Sequence, residues 1–164
     1  MRMAGRAPDA AIDILLIDDA ATIRLAEAIA ALARRGDVIA LWGPLGAGKT
    51  VFARAFIGTL GGGTDVPSPT FTLVQTYDAP GISIHHFDLY RLAAPEEAYE
   101  LGIEDAFGGD VCLVEWPERL GGLLPAERLD VILSFGQKPN ERLARLQGQG
   151  SWRRRLSEAD IHGG

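Results

Sequence analysis

One cysteine, Cys112, stands in 164 residues, so no intrachain disulfide can form, and a reducing compartment fits that scarcity. No run approaches the roughly 20 apolar residues that a bilayer-spanning helix needs. Asp9, Asp13, Asp18 and Asp19 break the first plausible stretch, and no apolar segment follows Arg2 and Arg6. A cytoplasmic protein with no membrane partner is expected. Positive charge is also short: 16 Lys and Arg face 22 Asp and Glu, a net charge of −6. Phosphate contacts need clustered cations, so strong binding of the bare protein to nucleic acid is not expected, although RNA reached through a partner stays open. Histidine is scarce too. His85 and His86 point to opposite faces of any strand, and His162 lies far away, so no zinc site is expected. Cys112 sits in an apolar run and reads as an inert core residue. Internal repeats, a convincing linker and an N-K-x-D guanine reader are all missing.

What remains is an ordinary globular composition, 47% hydrophobic and 23% charged, at a length that suits one domain. We read a single domain over residues 1–150 and a tail over 151–164. Residues 1–13 read as a loose lead-in. An amphipathic helix is expected from Ala20 to Arg35, with Ile23, Leu25, Ile29 and Leu32 on its apolar side and Gly36 as its stop. Val38–Trp42 reads as a buried strand, and a helix is expected to end near Leu60. Phe71–Tyr77 and Ile82–Asp88 flank a turn and predict a hairpin. Pro95 opens a short helix that ends near Gly102. Val111–Val114 is a buried strand, and Leu129–Phe135 with Arg142–Gln147 predicts a second hairpin. Arg153–Arg155 reads as a solvated helix face.

Gly43-Pro44-Leu45-Gly46-Ala47-Gly48-Lys49-Thr50 satisfies G-x-x-x-x-G-K-[ST] between a strand and a helix. Glycines let successive N–H groups turn inward as a nest for phosphate oxygens, and the helix start adds free donors and a positive dipole. Lys49 supplies a compact cation to the β- and γ-phosphates, and the Thr50 hydroxyl is a Mg²⁺ ligand. Gly46, Ala47, Gly48 and Val51 complete the expected cradle. The cofactors implied are ATP and Mg²⁺.

Mg²⁺ and an attacking water call for carboxylates at neighbouring strand ends. Asp88 ends one predicted strand and Glu115 another, and sequence alone does not divide the two roles. Thr70, in Ser68-Pro69-Thr70, is a candidate γ-phosphate sensor. Trp116 reads as part of a loop beside the site.

These segments resemble one family closely, the bacterial ATPase TsaE, formerly YjeE. The resemblance rests on the phosphate loop, Ser68-Pro69-Thr70-Phe71, His86-Phe87-Asp88-Leu89-Tyr90-Arg91, Pro95-Glu96-Glu97 and Leu113-Val114-Glu115-Trp116-Pro117-Glu118, in matching order from about Asp18 to Arg142. It implies an α/β P-loop NTPase-type fold in three layers, with a mixed, mainly parallel sheet and added β-hairpins. It implies Lys49 on phosphates, Thr50 and Glu115 on Mg²⁺, Thr70 and Asp88 in the switch and catalytic shell, and Asp19 and Arg142 near the nucleotide. It also implies TsaD and TsaB homologues as partners in tRNA threonylcarbamoyladenosine modification, with tRNA met only through that complex. A small-molecule kinase and a nucleotide-dependent scaffold are the competing readings.

Overall fold

The computed structural model describes residues 11–62, 73–159 and 161. Its centre is a seven-stranded sheet in the order β1 (Ile12–Leu16), β7 (Arg142–Gly148), β6 (Leu129–Phe135), β2 (Val38–Trp42), β5 (Val111–Glu115), β4 (Ile82–Asp88) and β3 (Val74–Ala79). The β6–β2, β2–β5 and β5–β4 pairings are parallel, and both hairpins are antiparallel. Because β1 runs antiparallel to β7, all but β3 and β7 point the same way. The sheet is thus mixed and mainly parallel, as the resemblance implies.

Along β5 every residue is buried, because both faces are covered. Val111 and Leu113 face a layer made by α1 (Asp19–Leu32), α2 (Lys49–Thr59) and α4 (Ser151–Glu158). Cys112 and Val114 face a second core under the 3₁₀ segments Pro95–Leu101 and Pro117–Leu123 and the short helix α3 (Ile103–Phe107). The second layer does not reach β7 and β1, where Leu15 and Leu143 stay about half exposed.

Burial, with the charge of Asp110 adding, pushes the Cys112 thiol up to about 12. The native protein is therefore expected to resist thiol-specific reagents near pH 8 and to react once unfolded. Because the folded state holds the neutral thiol, this group's contribution to stability should fade as pH rises above the ordinary cysteine range toward about 12. Rapid native labelling, followed by mass spectrometry, would contradict the burial.

Three expectations need correction. The lead-in is not loose throughout: Ile12–Leu16 forms β1, with Ile14 and Leu16 buried and Asp13 bonded to its cross-strand partner Arg145 at 2.8 Å. Its sequence, Ile-Asp-Ile-Leu-Leu, breaks the apolar–polar alternation at Leu15, so the strand pattern is too short to read without its partner. Helix α1 starts where expected, with the Asp18 side chain accepting from the Ala21 N–H at 2.9 Å, a cap that contributes about 1 kcal/mol. It ends at Leu32 rather than Arg35, since the Arg34 N–H is taken by the Asp37 carboxylate at 2.6 Å. Its inner face is Thr22, Leu25, Ala26, Ile29 and Ala30, whereas Ile23 is exposed.

The third correction concerns α4. Trp152 and Leu156 are buried in the main core, and Arg155 is not solvated. Both its NH groups bind Asp37, at 2.7 and 2.8 Å, and NH1 also donates to the Leu32 carbonyl at 2.9 Å. That carbonyl belongs to the last turn of α1, where no intrahelical donor exists. Among the described residues, no helix is long and apolar enough to cross a membrane.

Candidate functional site

Strands β2, β4 and β5 end side by side. The chain leaves β2 at Trp42 and turns at once through Gly43, Gly46 and Gly48, which all hold positive φ. The Ala47 N–H closes a turn on the Pro44 carbonyl at 3.1 Å, and Gly48 serves as an N-cap with no side chain of its own. The first N–H groups of α2 are therefore left for an external acceptor. Thr22 of α1 packs beside Gly48, its methyl 4.0 Å from the place a Cβ would take.

A cavity of about 240 Å³ opens over this turn. Gly46, Gly48, Lys49, Thr50 and Val51 line its floor, and Asp88, Tyr90, Glu115 and Trp116 line its wall. The parallel register sets Asp88 opposite Glu115, so the tertiary structure brings both acids to Lys49. Burial holds the Lys49 ammonium below the ordinary lysine value, and Glu115, Glu118 and Asp88 oppose that shift.

The Lys49 ammonium donates to the Gly43 carbonyl at 2.6 Å and lies 3.4 Å from the centre of the Trp116 ring. Trp116 reaches that position from a left-handed backbone, φ 61°, and Tyr90 packs against it with ring centres 4.9 Å apart. A non-glycine residue in that region stores strain of roughly 1–3 kcal/mol. Trp116 is thus part of the site wall, as its place after Glu115 suggests.

Asp88 is 5% exposed and its carboxylate accepts from the Tyr90 N–H at 3.2 Å, a local bond that fixes its direction. Glu115 is 3% exposed and meets Nε2 of His86 at 2.6 Å. His86 itself is fully buried. Position alone did not single out this histidine as a support for Glu115. The signal was its place two residues before Asp88, on the same strand face. His85, on the other face, bonds Asp110 at 2.7 Å.

Arg142, at the start of β7, donates to the Gly46 carbonyl at 3.2 Å and stacks over Phe135 at 5.1 Å. It therefore braces the phosphate loop from the side. Asp19 lies at the exposed first turn of α1, outside the cavity lining. Thr70 lies outside the described residues.

No cluster of three or more His, Cys, Asp or Glu suited to a metal occurs among the described residues. The donor set nevertheless fits Mg²⁺, which favours one or two carboxylates, a hydroxyl and phosphate oxygens over an all-protein cage. Thr50 and Glu115 line the same cavity and supply the hydroxyl and the carboxylate.

Comparison with known proteins identifies the family. The family described as "Threonylcarbamoyl adenosine biosynthesis protein TsaE" matches residues 16–144. A Rickettsia bellii protein named tRNA threonylcarbamoyladenosine biosynthesis protein TsaE is 44% identical over 122 residues, 74% of this chain and 85% of its own length. A protein of the same name from Bacillus subtilis is 42% identical over 113 residues, 68% of this chain and 70% of its own. The crystal structure of Bacillus subtilis YdiB superposes with a TM-score of 0.77 at 29% identity, covering 98% of this chain and 97% of that one. With the family matched over residues 16–144 and relatives 44% and 42% identical over two thirds or more of the chain, this chain belongs to the TsaE family.

Proposed function

We propose that the protein is a cytoplasmic ATPase required for tRNA threonylcarbamoyladenosine formation, hydrolysing ATP in complex with a TsaB–TsaD pair. The observation that carries this reading is the convergence of Lys49, Thr50, Asp88 and Glu115 on one cavity, in a family whose named members belong to that pathway.

The N–H groups of Gly46, Ala47, Gly48 and Val51 hold the phosphate oxygens, and Lys49 pairs with the β- and γ-phosphates. Thr50 and Glu115 hold Mg²⁺, which when bound neutralises charge building on the transferred phosphoryl group. His86 keeps the Glu115 side chain in place through one oxygen, leaving the other for the metal. Asp88, set opposite Glu115, orients the attacking water. Thr70 reads the γ-phosphate in the switch, and Asp19 and Arg142 flank the nucleotide.

The same geometry leads us to expect weak activity from the protein alone. Lys49 is already engaged by the Gly43 carbonyl and the Trp116 ring, so phosphate must displace both contacts. A partner that draws Trp116 aside lowers that cost. Transfer of the threonylcarbamoyl group falls to the partner pair, and tRNA reaches the ATPase within that assembly.

The test is ATP hydrolysis by the purified protein with and without the TsaB–TsaD pair. Strong stimulation is expected, falling on the order of 100-fold or more in Lys49→Ala, because a preorganised cation at the reacting phosphate is lost. ATP binding with no stimulation by the pair would overturn the proposal.

A further inference from the structure

The nucleotide site uses one end of the sheet only. β2 runs from Val38 to Trp42, about 13 Å of strand, and the phosphate loop lies at its finish. At its start lies an open cleft of about 930 Å³. Arg34 lines one side, and Ser151, Arg153, Arg154 and Ser157 of α4 line the other. Glu158 is the one carboxylate in the lining, and no apolar side chain contributes to it.

In a chain of net charge −6 this is a local concentration of positive charge. Arg155, also in the lining, is engaged by Asp37 and fixes α4 against the α1–β2 connection. Its buried Nε–H has no partner. Arg34 and Arg154 are exposed, and none of the ion pairs among the described residues involves either. Two guanidinium groups without an acid partner among the described residues therefore border the same open cleft, one from each side. Ser157 and Ser151, whose hydroxyl accepts from Arg155 at 2.8 Å, border the cleft on the side of Arg154.

We propose that this cleft binds the phosphate backbone of RNA, as a weak contact separate from the nucleotide site. Guanidinium forks match phosphate oxygens bidentately, and hydroxyls are common further donors to phosphate. A protein partner would be expected to find a buried aromatic or aliphatic anchor, and this lining has none. The overall acidity does not forbid the contact. At physiological salt the screening length is about 8 Å, shorter than the span to the acids beside the phosphate loop. The choice of tRNA as the source of phosphates rests on the pathway reading above.

The test is fluorescence anisotropy of a labelled, unmodified tRNA transcript titrated with the full chain from low to physiological salt. Wild type is expected to bind at low salt. Arg34→Ser combined with Arg154→Ser should weaken binding about tenfold and reduce the log–log salt slope by roughly 1.4–1.8, the loss of two phosphate contacts. Glu158→Gln should strengthen binding. Lys49→Ala should bind tRNA as wild type does, so failure of the ATPase reading and failure of this one are distinguishable. Three results would overturn the proposal: no binding by wild type at low salt, an unchanged slope in the double variant, or retained tRNA binding with lost affinity for the TsaB–TsaD pair. The last would assign the cleft to an acidic protein surface.

Discussion

Gly43→Ala is expected to lower the thermal midpoint by on the order of 10 °C and to abolish nucleotide binding. An alanine Cβ at this position would stand 2.3 Å from the Leu133 carbonyl oxygen, on a backbone at φ +140°. Neither side has room to yield. Leu133 lies within β6, paired with Ala144 of β7, and its neighbour Ile132 is paired with Trp42 on the other side. Strain and overpacking each cost roughly 1–3 kcal/mol, and a shift of the first loop residue misplaces every N–H that follows. Gly46→Ala is the internal control. Its Cβ would meet only the Phe135 ring edge at 3.9 Å, so backbone strain at φ +84° is its main cost. Differential scanning calorimetry and ATP titration of both variants check this. If Gly43→Ala melts with wild type, the loop is not held against β6 as described.

Arg155→Ala is expected to cost roughly 3–5 kcal/mol, because it strands a buried carboxylate. Asp37 would keep a single backbone donor, the Arg34 N–H, and the last carbonyl of α1 would lose its partner. Asp37→Ala should destabilise by a similar mechanism, leaving the Arg155 guanidinium buried without its acid. The double variant should lose clearly less than the sum, since neither charge is then left alone. Urea unfolding of the four proteins reads this coupling directly. Strict additivity would mean that the pair does not act as a unit. ATP binding should survive in all of them, because the pair sits at the start of β2 and the phosphate loop at its end. The residues after Gly150 also bring Trp152 and Leu156 into the main core, so ending the chain at residue 150 is expected to remove more than a solvated appendage.

Local order alone determined the phosphate-loop part of the candidate site. Eight consecutive residues carry the loop, its cation and its hydroxyl, and the strand before and helix after it show their own periods. The same holds for the strand ends at Asp88 and Glu115 and for both hairpins, whose paired strands follow one another directly in the chain. What tertiary structure decided are contacts between residues far apart in the chain. β1 exists because Ile14 and Leu16 find a core and Asp13 finds Arg145, 132 residues on. Arg155 turns inward because Asp37, 118 residues earlier, stands at the start of β2. His86 holds Glu115 across 29 residues, and Trp116 folds back over Lys49. Local patterns are legible because each residue's preference depends on neighbours within a turn or a strand. A buried pair is not, because burial first makes an unpaired charge costly, and only the assembled sheet specifies which group meets it.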